Sequence, residues 1–574
     1  MGHWKHFFVA GSAFILLVAC GGENDAASTE DVAEETVEAA EIATLETSEA
    51  AAGDSATITG ADLARHISIL ASDNFEGRAP GAEGGEKTRA YIAGEYERIG
   101  LQKVNGSYFQ TVPMVESTIT PEESFLEING APLEYKVDAI YWTKRVEEEV
   151  SFADSDMVFV GYGVVAPEFE WNDYEGIDVA GKTVVMLVND PGFATQDPDL
   201  FNGNAMTYYG RWTYKYEEAA RQGAAAALII HDTAPSAYGW SVVEGSWSGP
   251  QLDLERANDG ADRVMLEGWL SNEAARGVLS SAGIDLDVLM QSAQTPDFTA
   301  ALIEGVKVSA TITSKIRRSE DENILGVLPG AEAPDEYVLY MAHWDHLGVD
   351  PKEAGADKIF NGAVDNATGV AAILEIAEAF ANTETIPRRS ILIAAVTAEE
   401  SGFLGSAYMA EDPPVPLKNI VGGVNIDALL PTPPASDVIV VGYGASELED
   451  LLKAAASQSN RTLNPHAEPE KGYFYRSDHI SLAKKGVPML YADNGINFYE
   501  GGANAGKAFG ADYTKNRYHK PSDEYEESWD LEGMTETIDI LYRTGAAMAY
   551  SDNWPNWYEG NEFRAIRDAQ REAE

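Results

Sequence analysis

The sequence predicts an α/β protein, an open and mostly parallel doubly wound sheet with a β-rich domain inserted into it. Three observations predict it. Runs such as RSILIAAV (389–396) are apolar at consecutive positions, as expected of strands covered on both faces. Such runs alternate with amphipathic stretches, among them ATGVAAILEIAEAFA (367–381), where Val370, Ile373, Leu374, Ala377 and Phe380 share one helical face. His343, Asp345, Glu399, Glu400 and Asp427 all fall at or just beyond the ends of predicted strands, where open α/β sheets form their sites.

Taken in order, the chain opens with a short apolar run, Phe7 to Ala19, behind Lys5. A comfortable membrane span needs about 20 apolar residues, so this run reads as the core of a signal peptide. Residues 21–57 hold no aromatic residue, and residues 21–60 carry eleven Asp or Glu and no Lys or Arg. That stretch reads as an acidic, self-repelling disordered tether. From residue 58 to 139 the first part of the main domain is expected. It includes a helix with Leu63, Ile67 and Leu70 inward, and a second with Ala90, Ile92 and Tyr96 inward and Gly100 as its C-cap. His66 and Arg78 read as structural residues, with Arg78 a candidate to reach the site.

Residues 140–312 read as the insert: MVFVGYGVV, GKTVVMLVND and AALIIHD are strands, and YKYEEAARQG is a helix. Its frequent aromatics read as core, and it carries no cluster of metal-ligand residue types. The α/β pattern then returns for residues 313–550, and a Trp- and charge-rich tail, 551–574, follows.

At 574 residues the chain has room for two or three domains, and 45% hydrophobic residues supply their cores. A formal net charge of −54 makes nucleic acid an improbable partner, because phosphates are repelled. An acidic surface suited to saline surroundings is the plain reading of this charge, and a cationic substrate the minor one. The single cysteine, Cys20, closes the leader, so the remainder must hold together without disulfides, by core burial and by metal.

The candidate site gathers five stretches: AHWDHLG (342–348), NGAVDNATG (361–369), TAEESGFLGS (397–406), NIDALLP (425–431) and RYHKPSDEY (517–525). Imidazoles and carboxylates suit zinc, and a carboxylate can bridge two ions about 3.5–4 Å apart. Each stretch alone has an ordinary alternative. Asp365 is placed to cap a helix, Glu399 and Glu400 could be an exposed loop doublet, and His519 could lie on the surface. Asp427 inside an apolar strand is harder to dismiss, because a buried carboxylate needs a counter-charge. Asp345 alternates with His343 at a strand end and is placed to orient the imidazole.

In this order, the HxD, the VDN turn before a helix, the EE doublet followed by GxxGS, the NID strand and the late YH resemble a family of zinc metallopeptidases. Its members include bacterial leucyl aminopeptidase, aminopeptidase Y and glutamate carboxypeptidase II. The resemblance covers about 59–135 and 320–545, and the intervening stretch resembles a protease-associated domain. It implies a zinc-exopeptidase fold and two Zn²⁺ ions per chain. By resemblance, His343 and Asp427 hold one ion, Glu400 and His519 the other, and Asp365 bridges them. Glu399 would be the general base and Asp345 the support of His343. Tyr475, Arg476, Ser477, Asp478 and His479 would lie near the substrate pocket. Leu17–Cys20 resembles a lipobox, which implies a lipid on Cys20 and an outer-membrane lipoprotein facing the periplasm or the cell surface. The expected activity is removal of N-terminal residues from peptides. The alternatives are a carboxypeptidase or dipeptidase on the same scaffold, with Arg476 as its anion clamp, and a receptor-like protein with a dead site.

Overall fold

The computed structural model describes residues 58–572. The expected signal peptide, Cys20 and the acidic tether lie outside the described residues. Four parallel strands form the centre of the main sheet, side by side in the order Arg389–Val396, Ala333–His343, Ile420–Asn425 and Met489–Asn494. The flanks run the other way. The end of the long strand Ala301–Leu328 is antiparallel to Arg389–Val396, and Asp437–Val441 is antiparallel to Met489–Asn494. The sheet is therefore mixed, with its parallel character confined to the middle. Ala301–Leu328 arrives directly from the insert without a helical crossover, so nothing obliges it to run parallel.

Alternation along Ala333–His343 divides the core. Val338, Tyr340 and Ala342 pack with the helices Gly60–Leu70, Thr368–Ala381 and Glu532–Ala549 on one face. Leu339 and Met341 face the other side, toward Met409, Phe474 and Leu482. Thr368–Ala381 is buried almost all round rather than on one stripe, because sheet and helices enclose it together. The helix Glu83–Ile99 ends at Gly100 with φ 95°, but its buried face runs through Gly84, Thr88, Ile92 and Tyr96 and leaves Ala90 exposed.

The insert is not purely β. Thr183–Leu187, Ala226–Ile230 and Leu266–Leu270 are parallel, fully buried strands, with the helices Trp212–Arg221 and Asn272–Ser281 between and after them. Its sheet begins ahead of residue 140, since Phe125–Ile128 already pairs with Val308–Thr311. Ala301–Leu328 then passes from this sheet into the main one, pairing with Glu149–Phe159 first and with Phe109–Ile119 later. One continuous strand thus ties the two sheets together. The segment after residue 550 is packed rather than loose. Trp557 is buried and donates to the Gly486 carbonyl at 3.0 Å, and buried Arg567 donates to the Ile420 carbonyl at 2.7 Å.

Candidate metal centre and cleft

The carboxyl ends of the central strands converge on one point. His343 is the last residue of Ala333–His343, Glu399 and Glu400 follow Arg389–Val396, and Asp427 follows Ile420–Asn425. Asp365 comes from the turn before Thr368–Ala381, and its peptide bond to Asn366 is cis. His519 comes from beyond the helix Gly502–Asn516. The backbone is left-handed at Ala398, Ala428 and His519, each with φ 54°, a conformation costly for non-glycine residues and concentrated in functional sites.

Asp365 stands in the middle. Its Oδ1 lies 3.3 Å from His343 Nε2, and its Oδ2 lies 3.2 Å from His519 Nε2. His343 Nε2 is also 3.1 Å from Asp427 Oδ1, and His519 Nε2 is 3.2 Å from Glu400 Oε2. Donor atoms around a tetrahedral ion at about 2.0–2.1 Å stand about 3.3 Å from one another, so this spacing is that of a zinc cage. Two groups have ligand atoms all within 4.8 Å of one another: His343–Asp365–Asp427 and His346–Asp365–Glu400. The second contains His346, whose Nδ1 lies 2.6 Å from Glu400 Oε1. The sequence marks this imidazole only as a neighbour of the site, by its place in the HWDH stretch, and assigns it no ligand role.

The charges do not balance within the protein. Burial opposes protonation of His343, but Asp427, Glu399 and Asp365 outweigh it and hold the imidazole well above its ordinary range. His519 is likewise raised to about 10 by Glu400 and Asp365 against burial. Burial pushes Asp365 upward, yet His343 and His519 bring it well below the carboxylate range. Such a cluster holds protons where a metal ion would displace them.

The two adjacent glutamates have different surroundings. Glu400 is held by two imidazoles, which against burial bring it down to about 2. Glu399 belongs to neither ligand group, and burial together with Asp427, Glu400 and Asp478 raises it well above a usual glutamate, with His343 opposing. Its backbone N–H donates to Asp345 Oδ1 at 3.0 Å. The backbone carbonyl of Asp345 is nearer to His343 Nδ1, at 3.1 Å, than its carboxylate is, at 3.8 Å. Asp345 thus links the His343 and Glu399 loops, while its carbonyl is the closer partner of the imidazole.

Two buried residues hold the Asp365 loop. Arg78 donates to the carbonyls of Trp344 (2.9 Å), Asn361 (2.6 Å) and Gly362 (2.7 Å), and so staples the His343 loop to the Asp365 loop. Asp523 accepts from the Val364 and Asp365 N–H groups, both at 3.1 Å. It was visible in RYHKPSDEY, but nothing in the spacing marked it.

Of the pocket candidates, Ser477 and Asp478 lie behind the centre. The Ser477 hydroxyl donates to Asp427 Oδ2 at 2.6 Å, and Asp478 is fully buried. His479 is also fully buried, between Phe474 and Tyr491. Tyr475 lines a cleft of about 860 Å³ between insert and main domain, which reaches the centre at Glu400–Phe403. Its hydroxyl donates to Glu562 at 2.9 Å. Arg476 is exposed, 5.0 Å over the Tyr473 ring.

Residues 323–543 match the model of Peptidase family M28. The matched stretch contains every residue of the metal cluster. Over 252 residues the chain is 26% identical to a probable zinc metalloprotease of Pyrenophora teres f. teres, covering 39% of this chain and 46% of that protein. Over 112 residues it is 32% identical to Aminopeptidase NAALADL1 of Rattus norvegicus, covering 19% of this chain and 13% of that protein. The chain therefore spans less than half the length of these curated relatives. Among solved structures it is similar to an aminopeptidase from Aneurinibacillus sp. strain AM-1, with 18% identity and a TM-score of 0.46, over 85% of this chain and 93% of that one.

Proposed function

We propose that the chain is a co-catalytic zinc exopeptidase, most simply an aminopeptidase acting on peptides. The observation that carries this reading is Asp365, whose two oxygens each face a different imidazole. His343 and Asp427 would hold one ion, Glu400 and His519 the other, with His346 close enough to share the second. Two zinc ions bound there would supply Lewis acidity toward a peptide carbonyl and lower the pKa of a water.

The protein's part in the chemistry belongs to Glu399. It is a partly buried carboxylate beside the cluster that belongs to neither ligand group, so its oxygens are free to take the proton of the attacking water as the oxygen adds to the carbonyl carbon. It then returns that proton to the amine nitrogen as the C–N bond breaks. Glu400 is unsuited to this task, because its oxygens already face the imidazoles. The intact donor set speaks against a receptor-like protein with a dead site.

One observation favours the second reading, a carboxypeptidase or dipeptidase. Arg211 on the insert and Arg476 on the main domain are close enough that Arg476 adds to the effect of burial in bringing Arg211 down to about 10. Neither has an acidic partner among the described residues. Such a pair suits a substrate carboxylate.

The location of the protein rests on the sequence alone: a lipid on Cys20 would anchor it in the outer membrane. Zinc content and substrate choice test the activity together. About two zinc ions per chain, with chelator-sensitive cleavage of free-amine peptides, is the expected result. Near-zero zinc with no turnover overturns the reading, and cleavage only of N-blocked peptides moves it to the carboxypeptidase.

A further inference from the structure

Asp493 is a carboxylate without a partner beside the centre. The strand Met489–Asn494 lies parallel to Ile420–Asn425 with Gly423 opposite Met489 and Asn425 opposite Tyr491. Continued by two residues, that register sets Asp493 level with Asp427. Side chains alternate along a strand, and residues level on neighbouring strands point to the same side. Asp493 and Tyr491 therefore share the side on which Asp427 meets His343.

Burial follows the same alternation: Tyr491 and Asp493 are partly open, whereas Leu490, Ala492 and Asn494 are buried. No Lys, Arg or His pairs with Asp493 among the described residues, and it belongs to neither ligand group. Burial, with Asp427 adding to it, pushes its carboxyl up to about 8, the state of an acid that lacks a cation. Arg211 and Arg476 do not serve it. Neither guanidinium is among the groups that act on its carboxyl, which are burial and Asp427 alone.

We propose that Asp493 is a specificity-determining residue that receives a cationic group, ammonium or guanidinium, on the N-terminal residue of the substrate. The assignment rests on the peptidase reading and deepens it. The flank of Asp427 would bind the residue that supplies the scissile carbonyl, and the flank of the arginines would bind the departing part. A partly open carboxylate keeps its ability to accept charge-assisted hydrogen bonds from either kind of cation.

The test compares the zinc-loaded wild-type protein with Asp493→Asn and Asp493→Arg. The substrates are the p-nitroanilides of lysine, arginine, leucine and glutamate and N-acetyl-lysine p-nitroanilide. Zinc content and unfolding temperature are recorded for each protein, and calorimetry measures binding of free L-lysine and L-leucine. In Asp493→Asn, KM for the lysine and arginine substrates rises by roughly 10–100-fold, the range of one charge-assisted hydrogen bond. The L-lysine affinity falls with it.

If the leucine substrate is spared, the cation is the side chain, and Asp493→Arg shifts preference toward glutamate. If all free-amine substrates lose equally, it is the α-ammonium. An active, zinc-replete Asp493→Asn with unchanged KM across the panel and unchanged L-lysine binding overturns the assignment alone. A zinc-loaded wild type that cleaves none of these substrates overturns the peptidase reading, and the assignment falls with it.

Discussion

Two regions of this protein bury groups of acids, and they neutralise them differently. In the insert, Lys215 is fully buried and donates to the Asn189 carbonyl at 2.7 Å, and the charges of Asp190 and Asp173 act on it from beyond ion-pair distance. Asp190 accepts from the Gly192, Phe193 and Thr207 N–H groups and from the Thr207 hydroxyl, and Asp173 accepts from the Val164 N–H and Trp171 Nε1. Its charge is answered within the fold. At the strand ends, Asp345, Asp365, Glu399, Glu400 and Asp427 gather around imidazoles that burial alone would keep neutral and that only these acids hold protonated, and the buried Arg78 spends its donors on backbone carbonyls. A buried acid with a built-in cation is architecture. A cluster that lacks one is a place for an ion to be added.

The largest expected effect separates these two kinds of burial. Glu399→Gln removes a base without removing a ligand, so kcat should fall by about 10²–10⁴-fold, the usual contribution of a positioned acid–base. Zinc content should stay near that of the wild type. The metal-free variant should be no less stable, because it has lost a carboxylate that burial and its acidic neighbours disfavour. Turnover, metal content and unfolding of the apo protein check the three parts. Near-normal kcat would remove Glu399 from the mechanism.

The matching change in the insert should act the other way. Lys215→Met leaves Asp173 and Asp190 buried without their cation and should destabilise the protein by about 3 kcal/mol. Zinc content at the strand ends should not change. Denaturant unfolding and metal analysis decide it. Loss of zinc in this variant would mean that the two regions are coupled and the contrast between them is wrong.

Much of this contrast was legible in the sequence, but unevenly. Consecutive apolar residues marked the central strands, and the residues closing them, His343, Glu399, Glu400 and Asp427, marked the centre. Local patterns carry that information. Contacts decided elsewhere in the chain were not legible. Asp523 and Arg78 act on backbone groups of distant loops, so no spacing announces them. His346 depends on how the loop after His343 turns toward Glu400. Asp493 depends on the pairing of strands separated by two strands and two helices in the chain. The early start of the insert escaped because Phe125–Ile128 is only four residues long and finds its partner at Val308–Thr311.

The smallest expected effect lies at His479, next to Asp478 behind the centre. His479 is buried and neither ring nitrogen has a partner in good hydrogen-bond geometry, so burial brings it down to about 3 against a weaker pull from the Phe474 backbone. The folded protein therefore keeps this imidazole neutral from pH 7 to about pH 3, while the unfolded chain takes up the proton below about 6.5. Across that window the unfolded state binds more protons, so stability rises with pH. The contribution is full above 6.5 and is lost as the pH falls toward 3, by about 1.4 kcal/mol per unit. His479→Phe, with Phe474 and Tyr491 as aromatic neighbours, should remove this part of the slope. Unfolding of chelator-treated wild type and variant between pH 4.5 and 7.5 isolates the difference, because the other imidazoles are common to both. Equal slopes would show that His479 finds a hydrogen-bond partner in solution, and that the unsatisfied burial beside the centre ends at Asp478.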